Sequence, residues 1–103
     1  MDLMPQQWAD QLAQDAQAVI LDVRTPAEWA EGIIQGAQCI DIYTGQAFVE
    51  AIDALPRDAS YYVYCKAGGR SAQACALMHQ LGFERTFNLM GGYGQWHGPT
   101  KKP

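Results

Sequence analysis

Apolar positions along this chain come in two kinds, short solid runs and longer stretches that repeat every three or four residues. Pro5 suits the first position of a helix, and Trp8 and Leu12 follow on one face beside Ala9, Ala13 and Ala16. Ala18-Val19-Ile20-Leu21-Asp22-Val23 is too short for a helix and predicts a strand buried on both faces, as in a parallel sheet. Thr25-Pro26 with Glu28 three residues after the threonine predicts a short capped helix ended by Gly32. Gly36 to Asp41 is a weaker strand. Phe48, Val49, Ile52 and Leu55 then mark a helix from Gln46 that Pro56 stops. Tyr61-Tyr62-Val63-Tyr64-Cys65 is the clearest strand, rich in aromatic side chains. After the turn Lys66-Ala67-Gly68-Gly69, apolar Ala74, Leu77, Met78 and Leu81 predict a helix from Arg70, closed by Gly82. Thr86 to Leu89 is a last strand, and Gly91-Gly92 opens a turn carrying Tyr93 and Trp96.

Strands alternating with helices over 103 residues predict one α/β domain with a mostly parallel sheet. A chain of this size buries about 65% of its unfolded surface, enough for one core. The domain is expected to span 1–98, with 99–103 a flexible tail. No stretch reaches membrane-spanning length. The opening Met1-Asp2-Leu3-Met4-Pro5 lacks the basic head and apolar run of a secretory signal, and three cysteines are an odd number for a disulfide framework. A reducing, cytoplasmic setting is the expectation.

Net charge changes the picture less than its distribution. Residues 1–60 carry ten carboxylates against Arg24 and Arg57, whereas residues 61–103 carry Glu84 against Lys66, Arg70, Arg85, Lys101 and Lys102. That basic excess is too small for a nucleic-acid surface. Two of its members flank a cysteine and two glycines.

Cys65-Lys66-Ala67-Gly68-Gly69-Arg70-Ser71 lies where a strand gives way to a helix, the end of an α/β sheet at which ligands gather. Gly68 and Gly69 allow the turn to curl its N–H groups inward as an anion nest, and the next helix adds its free amides. A sulfur anion at Cys65 is stabilised there, with Lys66 and Arg70 adding positive charge. The same residues also suit an inert buried cysteine before an ordinary turn.

The loop Cys65 to Ser71 resembles the active-site loop of the single-domain rhodanese family. Leu21-Asp22-Val23-Arg24-Thr25-Pro26-Ala27-Glu28-Trp29 is similar to that family's first strand and turn. Gly32-Ile33-Ile34-Gln35-Gly36-Ala37 is similar to a block that usually reads Gly-His-Ile-Pro-Gly-Ala, with Ile33 and Gln35 as departures. Gly82-Phe83 and Asn88-Leu89-Met90-Gly91-Gly92-Tyr93-Gly94-Gln95-Trp96 resemble its closing block. The resemblance implies a five-stranded, mostly parallel sheet flanked by helices on both faces, with Leu3 and Met4 able to add a small strand. It also implies a sulfurtransferase: Cys65 takes a sulfane sulfur from thiosulfate or another persulfide donor, holds it as a persulfide, and passes it to a thiol, cyanide or protein acceptor.

Under that reading Cys65 is the nucleophile, Lys66, Ala67, Gly68, Gly69 and Arg70 hold the substrate, and Asp22, Arg24 and Ser71 support them. No metal or cofactor is expected, nor a nucleic-acid or membrane partner, and the chain is expected to be a monomer or weak dimer. Arg70 has two open jobs, touching substrate or bracing the loop. Asp22 and Arg24 suit a structural pair. A persulfide relay or inert binding module would carry the same residues. A cysteine-based phosphatase is a further rival, although four residues separate Cys65 from Arg70 here against five in such enzymes, which makes a smaller cradle. Cys75 suits core filler, Cys39 a strand end on the catalytic side, and Tyr43 the pocket rim. Phe48, Trp8, Trp29 and Trp96 have the spacing of core aromatics, and His79 and His97 are isolated.

Overall fold

The computed structural model describes residues 1–103. Its elements are β1 (Asp2–Leu3), α1 (Pro5–Gln14), β2 (Ala18–Asp22), α2 (Pro26–Trp29), β3 (Ile33–Ile34), β4 (Gln38–Cys39), α3 (Gln46–Asp53), β5 (Ser60–Tyr64), α4 (Gly69–Gln80), β6 (Thr86–Leu89) and β7 (Thr100–Lys101). Single 3₁₀ turns cover Ile42–Thr44 and Tyr93–Gln95. Five strands make one parallel sheet in the order β1-β6-β5-β2-β4, so the sheet is parallel throughout. No helix is long and apolar enough to cross a membrane.

Period-two alternation along β5 divides the core between the two faces. Tyr61, Val63 and Cys65 pack with Leu21, Val23, α3 (Phe48, Ile52), α4 (Ala74, Cys75, Met78) and Phe83. Tyr62 and Tyr64 point the other way, into a cluster with Trp8 of α1, Ile34, Leu3 and Leu89. Helices therefore cover both faces, and β5 is buried along its whole length. Trp8 is sealed at 0% exposure, stands edge-on to Tyr62, Tyr64 and Trp96, and donates its indole N–H to the Phe87 carbonyl at 3.0 Å. Trp29 and Trp96 are only half-buried, so of the three tryptophans the core-aromatic expectation holds in full for Trp8.

The long elements follow the periodicity, and the short ones depart from it. The strand expected over Gly36–Asp41 shrinks to Gln38–Cys39, which pairs with Leu21–Asp22. Ile33–Ile34, whose two residues are too few for any period to show, forms β3. Its partner is Thr100–Lys101, within the segment expected to be a loose tail; that segment instead pairs antiparallel with β3, and the Gln35 amide donates to the Pro99 carbonyl at 3.0 Å.

The division of the core predicts where truncation hurts. Ile52→Ala should cost about 2–5 kcal/mol by emptying a sealed position, whereas Met90→Ala should change stability by about 0.5 kcal/mol or less. Met90 is 41% exposed and Ile52 0%. Urea denaturation of the two variants checks the contrast.

Candidate active site

Cys65 is the first residue beyond β5, at the carboxyl end of the sheet's central strand. Its position is fixed on both sides, because the Tyr93 amide donates to the Cys65 carbonyl at 2.8 Å and its side chain lies in the core at 1% exposure. The chain then turns through Gly68, whose φ of 102° is left-handed backbone that glycine adopts without strain, and α4 begins at Gly69. Gly69 has ordinary helical φ, so of the two glycines expected to curl the turn, Gly68 alone supplies the left-handed step.

That curl aims donors at the sulfur. The Gly68 amide donates to Cys65 Sγ at 3.0 Å, and Ser71 Oγ lies 3.3 Å from it. Burial pushes the Cys65 thiol up, but the Ser71 hydroxyl and the amides of Ser71, Gly68 and Ala67 together outweigh it, leaving the thiol below its ordinary value. Among the loop amides, that of Gly68 makes the closest approach to the sulfur. The other two cysteines behave differently. Burial pushes Cys75 up to about 11 and also raises Cys39.

Gly92 was not visible as a site residue in the sequence. With φ 75° it presses against the Cys65–Ser71 loop so closely that a Cβ there would overlap the Lys66 carbonyl and the Ala67 amide. Gly91-Gly92 was read as the opening of a turn within the closing block; Gly92 is the wall against which the loop rests.

Charge around the loop is largely cancelled in pairs. Asp22 and Arg24 are both buried, with Arg24 Nη2 donating to Asp22 Oδ2 at 2.6 Å and to the Gly32 carbonyl at 2.7 Å. Tyr64 Oη and Trp29 Nε1 also donate to the Asp22 carboxylate, at 2.6 and 3.2 Å, and the Arg24 guanidinium stacks 4.4 Å from the Tyr93 ring centre. The structural reading of this pair is what the contacts show. Arg70 grips Glu28 with both terminal nitrogens, at 2.7 and 2.8 Å, tying α4 to α2. Its guanidinium sits 5.7 Å from the ring centre of exposed Tyr43. These contacts make Arg70 a brace between α4 and α2. Lys66 is exposed and opens onto a cleft shared with Glu28, Glu31, Tyr93 and Gly94. Phe48 is core, and neither histidine joins a group able to hold a metal.

The Glu28–Arg70 bridge should be visible in acid. Arg70 holds the Glu28 carboxyl at about 2, down from an ordinary 4.5, against partial burial and with help from Thr25. A carboxyl lowered on folding adds stability that is complete above its unfolded value and is lost as pH falls through its folded one. Stability should therefore decline from pH 4.5 toward about 2, and Glu28→Gln should flatten that slope in denaturant midpoints measured against pH. An unchanged slope would remove the bridge from the stability of the loop.

Comparison with known proteins agrees with the geometry. A protein of Allochromatium vinosum named sulfurtransferase is 36% identical over 88 residues, covering 85% of this chain and 79% of that one. YtwF of Bacillus subtilis, also bearing a sulfurtransferase name, is 34% identical over 92 residues, covering 89% and 85%. The crystal structure of a rhodanese-related protein from Thermoplasma volcanium superposes with a TM-score of 0.82 at 28% identity, covering 99% of this chain and 98% of that one. The sequence profile of the rhodanese-like domain matches residues 5–99, which includes every element from α1 to β6 and the whole Cys65–Ser71 loop, and the chain belongs to that family.

Proposed function

We propose that this chain transfers sulfane sulfur through a persulfide on Cys65. The observation that carries the reading is a nearly sealed sulfur, 1% exposed, that receives the Gly68 N–H at the start of α4 and has the Ser71 hydroxyl beside it. Such a sulfur is stabilised as an anion without a general base. In the first step the Cys65 thiolate attacks the outer sulfur of thiosulfate, the S–S bond of the donor breaks, and sulfite leaves with the electron pair. In the second, cyanide or a thiol attacks the terminal sulfur and the Cys65 thiolate is regenerated. The loop amides then serve the terminal sulfur of the persulfide as oxyanion-hole donors serve an alkoxide. A reducing, cytoplasmic setting suits a carrier that must return to the free thiolate.

The donor's charge falls to few groups. Arg24 and Arg70 are engaged by Asp22 and Glu28, so Lys66 and the amides are the groups left to meet an anion. A persulfide on a protein partner, which carries a single negative charge on its outer sulfur, needs fewer positive groups than the thiosulfate dianion. The engagement of Arg70 also weighs against a phosphatase, which needs its arginine on the substrate oxygens.

Cys65→Ser should abolish thiosulfate:cyanide transfer in steady-state assays while leaving the unfolding transition cooperative; retained activity would remove the nucleophile. Lys66→Ala should raise the KM for thiosulfate about two- to fivefold, the range of one exposed charge contact, with kcat little changed.

A further inference from the structure

A hydroxyl group owns one proton, and Ser71 has two takers for it. Its Oγ lies 3.3 Å from Cys65 Sγ and 2.5 Å from Asn88 Oδ1. The Asn88 amide cannot turn round to relieve the competition. Its Nδ2 donates to Asp2 Oδ1 at 3.0 Å and to the Gly68 carbonyl at 3.2 Å, and both of those groups only accept. Oδ1 is therefore committed to face Ser71 as an acceptor, and Asn88 is buried at 3% exposure. Ser71 is likewise sealed, at 0%.

We propose that Asn88 is a positioning residue that competes with Cys65 for the single Ser71 proton and thereby sets how readily the sulfur ionises. While Cys65 is a thiol, its S–H faces Ser71 Oγ and the Ser71 hydroxyl donates to Asn88. When Cys65 is a thiolate, the Ser71 hydroxyl swings to the sulfur, and Asn88 Oδ1 loses its donor inside the protein. Once the charge moves to the outer atom of a persulfide, Sγ no longer needs that donor and the hydroxyl returns to Asn88. The Cys65 proton leaves to solvent when the thiolate forms; the Ser71 O–H bond stays intact throughout, and only its direction changes. The lost Asn88 bond makes the thiolate less stable than Ser71 and the loop amides alone would make it, and correspondingly more reactive toward sulfur.

This rests on Cys65 as the sulfur carrier, but its test reads ionisation and not transfer, so the two can fail separately. The alkylation rate of Cys65 by iodoacetamide is followed against pH, with the Cys65 peptide read by mass spectrometry. Ser71→Ala should raise the Cys65 pKa by about one unit, the scale of one hydrogen bond to a charged group. Asn88→Val should shift it by a similar amount in the opposite direction, because the Ser71 proton is then free for sulfur. The double variant should match Ser71→Ala alone, since Asn88 acts only through that hydroxyl. The Gly68 carbonyl keeps the Ala72 N–H at 3.1 Å in these variants, so the loop retains its attachment to α4. Other charged groups packed around the site are Arg70 on α4 with its partner Glu28, the Asp22–Arg24 pair after β2, Lys66 of the loop, and Asp2 behind Asn88. None of these groups is itself replaced; Asn88→Val does take the Nδ2 donor from Asp2 Oδ1, and comparing the double variant with Ser71→Ala reads that effect apart from the hydroxyl. Should valine fail to give a cooperative melt, Asn88→Ala makes the same test. A raised or unchanged pKa in the folded Asn88 variant overturns the proposal. So does an equal lowering in the absence of Ser71, or a Ser71→Ala variant with an unshifted pKa.

Discussion

A sulfur that must bear negative charge while almost sealed from water is the constraint around which this small domain is built. Burial alone would keep Cys65 protonated, and in Cys75, ten residues further on, it pushes the thiol up to about 11. What separates the two cysteines is the Ser71 hydroxyl beside Cys65 and the backbone around each of them. Cys75 sits inside α4, where neighbouring amides are committed to the helix ladder, whereas Cys65 precedes the helix, where the first amides have no partner within it. The parallel sheet delivers Cys65 to that spot, and left-handed Gly68 turns the amides onto it.

The charged residues near the loop serve shape more than attraction. Asp22 gathers the Arg24 guanidinium, the Tyr64 hydroxyl and the Trp29 indole, which joins the ends of β2 and β5 to α2. Glu28 reaches back to the Thr25 amide and across to Arg70, so the short helix α2 becomes a strut for the start of α4. Gly92 closes the opposite side of the loop at backbone contact distance. An anion approaching Cys65 therefore meets oriented amides and one exposed lysine, in place of the cluster of free cations that the residue types alone suggest.

Much of this was legible in the residues themselves. Solid apolar runs at Ala18–Val23 and Tyr61–Cys65 identified the two strands that frame the site, and the Thr25-Pro26-Glu28 pattern identified α2 because capping chemistry is local. The catalytic loop was legible for the same reason, since a cysteine, a glycine turn and a helix start are contiguous in sequence. Long-range pairing was not. Nothing near Arg70 in the chain says that Glu28, 42 residues earlier, will occupy it. Ile33–Ile34 and Thr100–Lys101 are each too short to show a period, and they become strands only because they meet. Gly92 and Asn88 matter through contacts with residues 66–71, which a pattern confined to their own turn and strand cannot express.

The most direct test of the chemistry is the intact mass of the protein after incubation with thiosulfate, followed by peptide mapping. A gain of one sulfur atom located on Cys65, and lost on adding cyanide or a thiol, is the expected result. An unchanged mass with thiosulfate and with a small persulfide donor alike, or sulfur found on Cys39 or Cys75 with Cys65 unmodified, would contradict the assignment of Cys65 as the carrier.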